Sequence, residues 1–253
     1  MRTEKFIKKV FKNADEAVRF ETLKKGIPLG EDVSGEIALA QKSAQIYTVR
    51  NTCVTGSYKT QFIRRLLITL ACLNEAKDAC FIVLSPHVEY GELLRLSGCD
   101  FTIPYIRKKE DLIPAVKTLK ELIFMRENGK GYPHLFLVLD GLETLEEGKT
   151  NMDLSEYSGI LELFMRMPNV DIICGMDLGR SIFAGCPGTF LGRGNCLVTA
   201  REIGKADVTY VNDDTSLTMP MPITYPSEPT VMESIIYLNS ILASLTYGKN
   251  DEI

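Results

Sequence analysis

A chain of 253 residues with 45% apolar composition can bury one substantial core and lies near the upper size for doing so as a single domain. Its net charge of -4 and pI near 5.4 argue against broad electrostatic binding to nucleic acid, because phosphate neutralisation needs clustered Lys and Arg. No apolar run approaches the roughly 18 to 20 residues of a membrane span, and the N-terminus lacks the apolar centre of a signal peptide, so a soluble piece is expected.

The first 25 residues place Phe6, Ile7, Val10, Phe11, Ala14 and Val18 at helical spacing, which predicts an amphipathic N-terminal helix docked on the rest. Residues 1–26 are therefore read as that helix and its linker, and residues 27–253 as the main domain. "KKGIPLGEDVSGE" reads as a turn-rich connector. From there strand-like runs alternate with helix-like ones. "AQIYTVRNT" leads into "KTQFIRRLLITLACLN", "DACFIVLS" into "EYGELLRLSG", and "DFTIPYI" into "EDLIPAVKTLKELIFMREN" with its stripe of Leu112, Val116, Leu119 and Ile123. "YPHLFLVLDG", "SEYSGILELFMRM" and "NVDIICGMD" continue the order. Repeated β-then-α order predicts an α/β fold, a mostly parallel sheet with helices on both faces. A Gly-rich stretch, the short strands "CLVTA" and "DVTYV", and a set of prolines then lead to a last apolar helix, "VMESIIYLNSILASLTYG". The seven cysteines include no CxxC pair and have the usage of small buried hydrophobes in a reducing compartment. His87 and His134, the two histidines, are far apart, and no metal site is expected.

"NTCVTGSYKT" has the outline of a phosphate-binding loop, in which backbone N–H groups between a strand and a helix surround phosphates while a Lys and a hydroxyl serve the terminal phosphates and Mg²⁺. In GxxxxGK[ST] register, Cys53 stands at the first glycine, Tyr58 at the second, and Lys59 and Thr60 are intact. The candidate nucleotide-binding residues are Gly56, Ser57, Tyr58, Lys59 and Thr60. A Cβ at Tyr58 is expected to be costly, about 1 to 2 kcal/mol if that position must be left-handed, before any conflict between ring and ligand. "HLFLVLDGLETL" supplies Asp140 at the end of an apolar strand, where a Mg²⁺-holding Asp belongs, but Gly141 stands where a water-orienting Glu is needed. Glu143, two residues on, is expected to point elsewhere.

These residues resemble the FtsK/SpoIIIE-type P-loop ATPases, whose RecA-like fold the resemblance implies. "IPLGEDVSGE" is similar to that family's LG.D.SG.P lead-in, "TGSYKT" to its TGSGKS loop, "FLVLDGLETL" to its VVVDE strand and "LGRGNCLV" to its late LG.GDML element, all in the right order. After "NVDIIC" the family has a small residue and then a polar sensor, where this chain has Gly175, Met176, Asp177 and Leu178. Loop, base and sensor have all drifted, which relaxed need for hydrolysis explains better than an unusual mechanism. The resemblance is strongest to the terminal domains of the type VII secretion ATPases of EccC/EssC type. It implies a cytoplasmic module of a membrane-anchored exporter that recognises the C-terminal signal of WXG-type helical-hairpin substrates, works beside upstream ATPase domains of the same chain, forms a homo-hexamer in the full assembly and has no nucleic-acid partner. The expectation is a degenerate ATPase with no catalytic residue of its own, no cofactor in isolation and only weak binding of ATP and Mg²⁺. The alternative is a weak or partner-activated ATPase using Lys59, Thr60 and Asp140, with Arg180 or Arg193 supplied across a ring interface.

Overall fold

The computed structural model describes residues 5–6, 26–41, 50–73, 79–96, 100–128, 132–145, 167, 169–176, 196–210 and 218–227. Among these, ten strands form one sheet in the order β2-β1-β10-β9-β8-β3-β7-β6-β4-β5. The strands are β1 (Gly26–Asp32), β2 (Ile37–Gln41), β3 (Arg50–Thr55), β4 (Ala79–Leu84), β5 (Asp100–Thr102), β6 (His134–Asp140), β7 (Val170–Gly175), β8 (Cys196–Glu202), β9 (Lys205–Tyr210) and β10 (Met221–Thr224). From β8 to β5 every pairing is parallel. From β8 to β2 every pairing is antiparallel.

The alternation of side chains along β6 shows how the sequence builds two layers on this sheet. Leu135, Leu137 and Leu139 join one core with Leu112, Val116, Leu119 and Ile123 of helix α2 (Leu112–Asn128). Phe136 and Val138 join the other with Phe62, Ile63, Leu66 and Leu70 of helix α1 (Lys59–Leu73). Every residue of β6 is buried, as a parallel strand covered on both faces requires. The expected mostly parallel sheet with helices on both faces is the fold observed.

Three expectations are corrected. The lead-in is a hairpin rather than a connector: Ile27 and Leu29 are buried in β1, and the turn is confined to residues 32–36. There Asp32 Oδ1 accepts from the backbone N–H of Ser34 and of Glu36 and from the Ser34 hydroxyl, and Gly35 takes φ 84°. The Ser34 hydroxyl, followed by the backbone donors, holds the Asp32 carboxyl below its usual range. The "EYGELLRLSG" run forms a 3-10 helix, Val88–Arg95, whose buried Tyr90 and Leu93 lie three residues apart, one 3-10 turn. The proline-marked stretch contains β10, inserted between β1 and β9 despite Pro222.

Of the expected N-terminal helix only residues 5–6 are described; Phe6 is helical and buried and lines a small crevice with Phe62, Leu66 and Tyr225. The last apolar helix, "SEYSGILELFMRM" up to Arg166, and the Gly-rich stretch lie outside the described residues.

Candidate functional site

The loop strand β3 lies between β7 and β8, and β6 lies beyond β7. Val54 and Asp140 both pair with Gly175, so loop strand, Gly175 and Asp140 form one line across the sheet at its C-terminal edge. Asp140 has the same parity as Phe136 and Val138 and therefore faces α1. Its Oδ2 accepts a hydrogen bond from the Thr60 hydroxyl at 2.7 Å. The two ends of the sequence signature, 80 positions apart, are thus in contact.

Gly175 is what permits that contact. A Cβ there would overlap Asp140 Oδ1 and the Ile63 side chain, so the small residue of β7 forms the seat of the carboxylate. Gly141 is equally constrained: it is left-handed at φ 69°, and a Cβ would collide with the His87 ring. The residue that removes the expected general base is therefore also the one that lets His87 pack here. Glu143 falls in the 3-10 turn Leu142–Thr144, and its side chain lies outside the described residues.

Two residues beside Asp140 are not among the site residues the sequence suggests. The Tyr90 hydroxyl donates to Asp140 Oδ2 at 2.9 Å, and His87 Nε2 stands 3.8 Å from the same oxygen. Asp140 is 0% exposed, and its Oδ1 has no hydrogen-bond partner among the described residues. Burial and then the neighbouring Asp140 carboxylate push the Tyr90 phenol well above its ordinary value, so it remains a donor. The available signal was Tyr90 itself, since a buried tyrosine needs a partner for its hydroxyl.

The loop departs from its expected shape. Strand β3 runs on through Cys53, Val54 and Thr55, which pair with both neighbouring strands or with β8, so only Gly56, Ser57 and Tyr58 separate β3 from α1. The strain expected at Tyr58 is absent: among the described residues the only non-glycine with positive φ is Asn169. The physical reason is the shortened loop. Gly56 alone takes the left-handed turn at φ 97°, and its open side is pressed on the Ala200 carbonyl, which a Cβ would strike. Tyr58 then enters the first helical turn, with its carbonyl accepting from Phe62 N–H at 3.0 Å.

This closure decides how well Mg·ATP, which the fold family implies, fits the residues present. The Tyr58 N–H points to the Ala200 carbonyl at 3.4 Å and the Lys59 N–H donates to the Gly56 carbonyl at 3.2 Å, so two amides needed for an anion nest face protein oxygens. Of the Asp140 oxygens, one carries two hydroxyl donors and the other presses on Gly175. The arrangement does not fit a phosphate chain with its cation, and no hydrolytic step is derived from it. Ser57 is exposed, Lys59 and Thr60 half-buried. Met176 is buried and donates from its N–H to Val54, so the first residue of the altered sensor is spent on holding β7 to β3. Arg180 and Arg193 lie outside the described residues.

Among the described residues no group of three or more His, Cys, Asp or Glu is placed to hold a metal ion. Burial pushes the Cys53 and Cys196 thiols up to about 12, which suits the packing role expected of them. No described helix is long and apolar enough to cross a membrane.

A parallel sheet flanked by helices, with a strand-loop-helix one strand removed from an acid-tipped strand, has the RecA-like fold of P-loop ATPases. Solved structures agree. The cytoplasmic domain of the Thermomonospora curvata type VII secretion ATPase EccC matches with TM-score 0.55 at 15% identity, over 87% of this chain and 31% of that one. EssC (ATPases 2 and 3) from Geobacillus thermodenitrificans matches with TM-score 0.57 at 12% identity, over 87% and 49%. The Thermomonospora curvata EccC (ATPases 2 and 3) in complex with a signal sequence peptide matches with TM-score 0.52 at 15% identity, over 75% and 41%. The chain thus spans 31 to 49% of the length of these chains. No family model and no curated protein sequence matches it.

Proposed function

We propose that this chain is a degenerate (pseudo-)ATPase domain of a type VII secretion motor protein, serving export by recognising WXG-type substrates or regulating their passage. The observation that carries the reading is the Asp140 carboxylate, wholly buried and capped by the Tyr90 hydroxyl where a cation's water shell belongs. The closed loop over Ala200 supports it from the other side of the site. In this reading the domain works at the cytoplasmic face of a membrane as part of a longer chain, beside upstream ATPase domains and within a hexameric ring. A related fold holding a signal sequence peptide, in Thermomonospora curvata EccC, supports a peptide-receiving role.

The test is titration of a labelled C-terminal tail from a WXG-type secreted protein, with and without Mg·ATP. Binding is expected to be unchanged by nucleotide and to weaken about tenfold or more when the tail's aromatic and apolar anchors are changed to Ala. Equal binding of both tails removes the receptor role. One observation favours the second reading, a weak or partner-activated ATPase: the Thr60–Asp140 hydrogen bond keeps loop helix and acid strand joined as a hydrolysing site needs them. An arginine from a neighbouring subunit, Arg180 or Arg193, would complete such a site.

A further inference from the structure

We infer that Tyr90 is a built-in occupant of the cation position, and that the 3-10 segment Val88–Arg95 is a plug fastened over it. The inference rests on the proposed degenerate site and says what fills it. Tyr90 and Thr60 donate to the same Asp140 oxygen, at 2.9 and 2.7 Å. A cation at about 2.0 to 2.1 Å, or a water of its shell, would have to take a lone pair of that oxygen, and the Tyr90 and Thr60 hydroxyls already take both. The other oxygen is buried beside Gly175.

The plug has fastenings besides the hydroxyl. Glu92 forms an ion pair with Arg64 of α1 at 2.6 Å, one helical turn beyond Thr60. Leu93 is buried in the α1-side core, and His87, at the N-terminal end of the segment, packs on Gly141. Segment, loop helix and acid strand therefore hold one another through Asp140. A cation taking the place of the Tyr90 hydroxyl on Asp140 would lift the segment as a unit.

Mn²⁺ tests this, since it takes the same oxygen ligands and its free form is read directly by electron paramagnetic resonance. Tyr90→Leu keeps an apolar side chain in the core but withdraws ring edge and hydroxyl from Asp140. It is expected to bind Mn²⁺ at least about tenfold more tightly than the wild-type chain, and Asp140→Asn added to it should abolish the gain. Equal Mn²⁺ binding by the wild type and a cooperatively melting Tyr90→Leu overturns the proposal. Tyr90→Phe, which removes only the hydroxyl, provides a second reading should Tyr90→Leu fail to fold. Amides of residues 88–95 should then exchange at least about tenfold faster, and unchanged exchange overturns the plug. Lys59-dependent ATP turnover by the wild type would end the pseudo-ATPase reading without altering the Mn²⁺ comparison. Equal Mn²⁺ binding would end the plug while leaving that reading on the closed loop.

Discussion

Gly175→Ala is expected to destabilise the chain by about 3 kcal/mol, the sum of overpacking, about 1 to 3 kcal/mol, and of disturbing a buried carboxylate's hydrogen bonds, about 1 to 3 kcal/mol. The new Cβ would fall on Asp140 Oδ1 and on Ile63, and Asp140 is too deeply buried to turn outward. If the carboxylate moves, Thr60 and Tyr90 lose their acceptor together. For a chain of this size the change corresponds to a melting-temperature drop of roughly 6 to 12 °C. Chemical denaturation should show the lower midpoint with an unchanged slope. A change below about 0.5 kcal/mol, the size of an ordinary surface substitution, would mean that β7 is not the seat of Asp140.

His134→Leu is expected to cost about 1 to 3 kcal/mol, the range for removing one hydrogen-bond partner from a buried polar pair. His134 Nε2 lies 3.0 Å from Asp171 Oδ2, both side chains are buried, and the imidazole packs on Phe136. This pair stands at the starts of β6 and β7, the opposite end of the same strands from Asp140 and Gly175. Six residues of strand separate the two sites along β6, about 20 Å. The two substitutions should therefore add in a combined variant to within about 0.5 kcal/mol, and strong coupling would show that the strands transmit strain from end to end. His134→Leu combined with Asp171→Leu should recover part of the loss, because replacing both partners by apolar groups of similar volume removes the buried polar pair as a whole.

The two-sided burial of β6, the stripe of α2 and the meeting of Thr60 with Asp140 were all legible, because each rests on a local period or a signature whose parts have fixed roles. Tyr90 was hidden for the opposite reason. It lies on a different strand's exit from both halves of the signature, and in "EYGELLRLSG" it passes for one more apolar position of a helix. Only the tertiary line from Val54 through Gly175 to Asp140 brings it to the carboxylate. Strands β1 and β10 escaped because glycines and prolines dominate the local signal there, while burial of Ile27, Leu29 and Ile223 in the common core outweighs it. Tyr58 was read as strained because the loop was assumed to keep its full length. Once Cys53, Val54 and Thr55 are zipped into the sheet, the remaining turn needs left-handed geometry only at Gly56.

The same shortening sets the most direct test of the proposed pseudo-ATPase reading. ATP turnover by the purified chain with excess Mg²⁺, measured beside Lys59→Ala, should be indistinguishable between the two and at background, because the loop amides face Ala200 and Gly56 and Asp140 is covered by Tyr90. Reproducible turnover that disappears in Lys59→Ala would contradict the account.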